Sequence, residues 1–287
     1  MLEDSHAGVI DLAHALRAGW VEFWYQPKIA LQQRHVVGIE MFARVRHPFH
    51  GVLSGSVILP GADEKAIAQL TIFALRWAMQ ASAALALEGV RLPITVNVPA
   101  SAVMPQALAT LLGDEPRKEE WGGLILDVPK RDILANHGYF ARVAPELAAM
   151  KIKLAADDFC GNLRRLMRQT NPEALYDEME ALSQHLTQLK ALSLAELKLD
   201  RELIAGCSDD ETRAMLCELI VDLIHQLGAK AVAVGVEKHA DLAVLRQIGC
   251  DIAQGHAFSE PLALEQLIML FKSRSGAAAR VPVAATG

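Results

Sequence analysis

Cysteine is scarce and scattered. The chain has four in 287 residues, and Cys160, Cys207, Cys217 and Cys250 form no C-x-x-C pair, which excludes a zinc cage and a secreted disulfide framework. A reducing cytoplasm is the expected compartment. No run approaches about eighteen uninterrupted apolar residues, and "MLEDSHAGVIDLAHALRAGW" has acids and histidine where a leader would carry a basic region, so neither a membrane span nor a signal peptide is expected. Positive charge is also short: a net charge of −6 and a pI near 5.9 argue against a DNA-binding surface. Low-complexity linkers are absent apart from the tail "SRSGAAARVPVAATG", whose small residues predict disorder over 273–287.

What is present is a repeated switch between short apolar runs and longer helical segments, the pattern of an α/β chain. Eight runs read as strands: "EFWYQPKIAL", "VVGIEMFARV", "LPITVNV", "GGLILDV", "IKLAADDF", "AELKLD", "AKAVAVGV" and "IAQG". With 52% hydrophobic content, one large core is within reach, and eight strands at this length predict a (β/α)8 barrel. The first two runs are separated only by Gln32 to His35, too few residues for a crossover helix. They are expected to pair antiparallel, a departure from the regular barrel.

Polar residues gather at the strand ends. Glu40, Asn97, Asp127, Asp157 with Asp158, Lys198, Glu237 and Gln254 each lie within or just after a different expected strand, and barrels keep their chemistry at that C-terminal rim. Acids with one amide make an all-oxygen donor set suited to magnesium, calcium or manganese. Taken singly, each is as easily a solvated strand-end residue.

In order and rough spacing, "WYQPKIAL…VVGIEMFARVRHP", "ITVNVPAS", "LILDVPKRDIL", "LAADDFCGN", "LKLDREL" and "AVGVEKHADLAVLRQIGCDIAQGHAFSEP" resemble the EAL-domain cyclic-di-GMP phosphodiesterases. The resemblance implies a modified (β/α)8 barrel with one antiparallel strand, over 1–272, and hydrolysis of one phosphodiester bond of cyclic di-GMP with magnesium or manganese. It implies metal ligation by Glu40, Asn97, Asp127, Asp157 and Asp158, a catalytic role for Lys198, and nucleotide contacts from Gln26, Arg44, Asp200, Glu237 and Gln254.

Departures from the family pattern fall near this chemistry. Met41-Phe42 stands where the family has Ala-Leu, Asp127 replaces a glutamate, and Lys130 replaces a supporting glutamate. Val234 replaces the glutamate assigned to the second metal and to water activation, a loss of general-base help that typically costs ~10²–10⁴-fold in rate. The glycine-rich loop after the paired acids is rebuilt with Cys160, Arg164, Arg165 and Arg168. Beyond it comes an inserted stretch over about 171–191, in which Leu175, Met179, Leu182, Leu186 and Leu189 follow helical spacing. Its stripe is expected to pack on its own barrel, with a partner or homodimer surface as the alternative.

Three functions are therefore carried forward from the sequence. The first is a degenerate regulator that binds cyclic di-GMP with weak or no hydrolysis and acts through a protein partner. The others are an active metal-dependent phosphodiesterase and a nucleotide-independent interaction module on the same scaffold.

Overall fold

The computed structural model describes residues 10–113, 121–157, 180 and 184–273. Its centre is a closed barrel. The strands are β1 (Val21–Ala30), β2 (His35–His47), β3 (Gly51–Ser54), β4 (Ile94–Asn97), β5 (Leu124–Pro129), β6 (Ile152–Asp157), β7 (Glu196–Leu199), β8 (Lys230–Val234) and β9 (Ile252–Gln254). Hydrogen bonding follows the order β1-β9-β8-β7-β6-β5-β4-β2-β3, and β1 also pairs with β2, which closes a ring of eight strands with β3 outside it. β1 runs antiparallel to both its neighbours, while β2 and β4 to β9 form successive parallel pairs. All eight expected strands are present, and the hairpin is where the short link requires it. The addition is β3, which folds back on the upper half of β2.

Helices cover the outside and start where acids cap them. Asp63 accepts the amide of Ala66 at 2.7 Å to open the helix Glu64–Leu87, and Asp210 accepts that of Arg213 at 3.1 Å to open Glu211–Gln226; each satisfies a donor that the first helical turn leaves free. The helix Glu64–Leu87 is long and apolar enough to cross a membrane by length and composition. Its inner face, including Ala74, Leu75, Ala78, Met79 and Leu85, is buried in the barrel's core cluster instead. Phe73 and Trp77 pack with Phe23 at centroid distances of 5.5 and 6.0 Å, the core role that their helical spacing implies.

Much of the insertion lies outside the described residues, among them Leu175, Met179 and Leu182. So do Asp158, Cys160, Arg164, Arg165 and Arg168, and all of the tail after Ser273. Residues 184–190 are helical; Leu189 is buried and Leu186 packs against the barrel core, so this end of the stripe faces its own chain.

The barrel interior is not wholly apolar. Lys28, fully buried on β1, donates to Thr95 Oγ1 at 2.7 Å and to Glu196 Oε2 at 2.6 Å. An ammonium without water needs such a partner, and removing one member of a buried pair costs about 3–5 kcal/mol. Glu196→Ala is expected to lower unfolding stability by about that amount in urea melts, while Lys28→Met combined with Glu196→Leu recovers most of it. Equal losses in the single and double variants would show that the pair is not the cause.

Candidate active site

Alternation along each strand decides what reaches the barrel axis. On β1, Trp24, Gln26 and Lys28 share the inner face, and in the β1–β2 register they lie opposite Phe42, Glu40 and Gly38. Asn97 follows Thr95 by two residues on β4, and Lys198 follows Glu196 by two on β7. Each lower-layer residue thus has a partner one layer nearer the rim.

In that upper layer Lys198 is the hub. Its ammonium donates to Glu40 Oε1 at 2.9 Å and forms a second ion pair with Asp127; Asn97 Nδ2 reaches the same Glu40 oxygen at 3.1 Å. All three ion-paired groups are buried. Burial pushes the Glu40 carboxyl up, but the charge and hydrogen bond of Lys198, with help from Lys28 and Asn97, outweigh it and hold Glu40 below the usual range. Asp127 goes the other way. Burial raises it, Lys198 pulls it back, and the charges of Glu40 and Asp157 push it up again, to about 7. Burial also lowers Lys198, yet Asp127, Glu40 and Asp157 together keep it well above its ordinary value. One lysine among three acids keeps Glu40 ionised and leaves Asp127 the easier to protonate.

A cavity of about 640 Å³ opens beside this cluster. Asn97, Asp127, Asp157, Arg44 and Phe42 all line it, so four of the sequence-predicted residues share one space. Met41, beside Phe42, also borders it, while being nearly inaccessible and part of the core. Gln26 and Gln254 meet on the inner face of β1 and β9. Gln254 Nε2 donates to Gln26 Oε1 at 2.9 Å, and Gln26 Nε2 donates to the carbonyl of Ser259 at 2.8 Å. The next residue, Gly255, is required: a Cβ there would lie 2.2 Å from the carbonyl oxygen of Val236.

Two predicted residues stand elsewhere. Asp200 caps the helix Arg201–Ile204 by accepting the amide of Leu203 at 3.2 Å, and Glu237 pairs with Arg201 at 2.8 Å on the exposed rim. Val234 ends β8 opposite Gln254, and Lys130 is buried just after β5. Sequence reasoning passed over Lys28, Thr95, Glu196 and Trp24. The first three were detectable as polar residues two positions from a predicted site residue on the same strand.

For a divalent ion, the donor chemistry fits. Glu40, Asn97, Asp127 and Asp157 offer only oxygen for coordination, and Asp127 Oδ1 is buried without a partner while Oδ2 is held by Lys198; such an unpartnered oxygen is the kind of deficit a hard cation relieves. Among the described residues, no group of three or more His, Cys, Asp or Glu forms a ready cation cage; the Lys198 ammonium stands among the acids.

The EAL domain family matches residues 10–171 and 177–261, and the chain belongs to that family. It is 28% identical over 90% of its length to the bifunctional diguanylate cyclase/cyclic di-GMP phosphodiesterase MucR of Pseudomonas aeruginosa. It is 29% identical over 91% of its length to the cyclic di-GMP phosphodiesterase NbdA of the same organism. The chain spans about a third of those proteins, 35% and 32% respectively. A solved structure of the MucR phosphodiesterase in complex with c-di-GMP superimposes with a TM-score of 0.72 at 28% identity, covering 90% of this chain and 98% of that one. The FimX EAL domain of Xanthomonas citri, at 16% identity and a TM-score of 0.66, shares the fold.

The raised Asp127 has a thermodynamic consequence. Its folded-state value, about 7, exceeds that of an unfolded aspartate, about 3.9, so between the two the folded state binds more protons and is stabilised by them. That stability is full below the unfolded value and is lost as pH rises through about 7. In chelator-treated protein, Asp127→Asn is expected to remove part of the fall in unfolding free energy between about pH 5 and about pH 8, read from paired denaturant melts. Parallel pH profiles for the two proteins would contradict the assignment.

Proposed function

We propose that this chain binds cyclic di-GMP across the C-terminal rim of its barrel and opens one of its phosphodiester bonds, giving the linear dinucleotide. The carrying observation is the buried cluster of Glu40, Asn97, Asp127 and Lys198 beside a cavity that Asp157 and Arg44 also line. Named relatives are phosphodiesterases, which favours hydrolysis over the binding-only function inferred from the sequence. Glu40, Asn97, Asp127 and Asp157 would hold magnesium or manganese, with Asp158 as a further expected ligand; the metal would supply an activated water and offset phosphate charge.

The chain's own residues then have distinct work. Lys198, fixed by Glu40 and Asp127, places a permanent positive charge where a phosphate oxygen gains negative charge during the displacement. The Gln26–Gln254 pair, on β1 and β9, and Arg44, on β2, face the nucleotide. Asp200 acts indirectly, by fixing the turn that follows Lys198. Glu237 supports the rim through Arg201.

A second reading rests on Val234. Valine neither ligates a cation nor accepts a proton, so the rim would keep nucleotide affinity with reduced turnover, because binding and catalysis use different groups. The two are separated by one pair of measurements: titration calorimetry with cyclic di-GMP in calcium, and chromatographic turnover in magnesium or manganese. The expected result is binding plus slow formation of the linear product, raised about 10²–10⁴-fold by Val234→Glu. Binding without any product supports the receptor reading, and no binding up to high micromolar nucleotide removes both.

A further inference from the structure

The inner face of the β1–β2 hairpin carries an aromatic pair that the proposed chemistry does not use. Trp24 and Phe42 are register partners, and the Arg44 guanidinium lies 5.8 Å from the ring centroid of each. A cation over aromatic faces is held by the ring quadrupoles, and a planar, weakly hydrated guanidinium suits that position. The platform is itself braced. Trp24 Nε1 donates to Glu22 Oε1 at 2.8 Å, and Arg46 closes on the same carboxylate with two bonds, at 2.8 and 2.9 Å. Arg44 Nη1 donates to the carbonyl of Ala43 at 3.0 Å. Thus Arg46 orients Glu22, Glu22 orients Trp24, and Trp24 with Phe42 orients Arg44 toward the cavity that it lines with Asn97, Asp127 and Asp157.

We propose that Trp24 and Phe42 are positioning residues that present Arg44 to a guanine edge and make the rim selective for guanine over adenine cyclic dinucleotides. The assignment rests on the nucleotide function proposed above. Arginine's parallel N–H groups match the N7 and O6 acceptors of guanine, whereas adenine sets an amino donor where O6 would be. Selectivity then depends on holding the fork at one angle. Without the rings, the guanidinium keeps its charge and its bond to Ala43 but is held less tightly at that one angle.

The test is titration calorimetry in calcium with cyclic di-GMP and cyclic di-AMP, on the wild type, Trp24→Leu, Trp24→Phe and Phe42→Leu. Melting temperatures confirm that each variant is folded. Trp24→Leu is expected to weaken cyclic di-GMP by about 5–30-fold and cyclic di-AMP by much less. Trp24→Phe, which keeps a ring, stays within about threefold of the wild type. In an Arg44→Lys background, Trp24→Leu adds little further loss, because the two act through one contact. Phe42→Leu gives an independent reading in case Trp24→Leu does not fold. Equal losses for both nucleotides, or full additivity with Arg44→Lys, would overturn the positioning role while leaving the nucleotide function standing. Wild-type protein that binds no cyclic di-GMP would remove that function itself, and this inference with it.

Discussion

A closed barrel of eight strands leaves an axis that side chains must fill, and here the filling is a column of alternating charge. Glu196 and Lys28 form the lower layer with Thr95; Lys198 joins Glu40, Asp127 and Asn97 in the upper one. Lys28 also contributes to the low proton affinity of Glu40, so the layers are electrostatically linked. In a low-dielectric interior, neither lysine is tolerated without its acids, nor the acids without the lysines. The lower pair fixes the floor on which the rim cluster rests. What opens at the rim is therefore a set of charged groups already dehydrated and oriented, the condition under which they act strongly on charge that develops beside them.

The same constraint explains where the departures from the family pattern are tolerated. Met41 alternates to the other face of β2 and is buried in the core, although it also borders the rim cavity. Phe42 is on the inner face, and its ring is taken up beside Arg44. Val234 ends its strand at the rim, beside Gln254, so the loss of a carboxylate there removes a chemical group without unpairing any buried charge. Chemistry at this rim is thus more easily altered than the fold that carries it.

Strand order and the hairpin were legible because apolar runs and a four-residue link leave few ways to pair. β3 was not, because "GVLS" is only four residues long, begins with glycine and is mostly unburied; its pairing with β2 is a tertiary event without a periodic signature. The site residues were legible as polar endings of apolar strands. Their partners in the lower layer were hidden by the expectation that a strand interior is apolar, although Lys28, Thr95 and Glu196 share the phase of Gln26, Asn97 and Lys198. Asp200 carries two signals at once. It follows Lys198 by two and matches a site position, yet its side chain caps a helix, a role that an aspartate ahead of "RELI" also signals. The position of Trp24 beside Arg44 depends on a register between two strands that no local pattern encodes.

The most direct measurement of this account is a crystal structure of the protein with cyclic di-GMP and calcium. The expected result is the nucleotide lying across the rim between Arg44 and the Gln26–Gln254 pair, calcium held by Glu40, Asn97, Asp127 and Asp157, and the Lys28–Glu196 pair undisturbed beneath. A nucleotide bound away from the rim, or a rim that stays closed around Lys198 at saturating nucleotide and calcium, would contradict it.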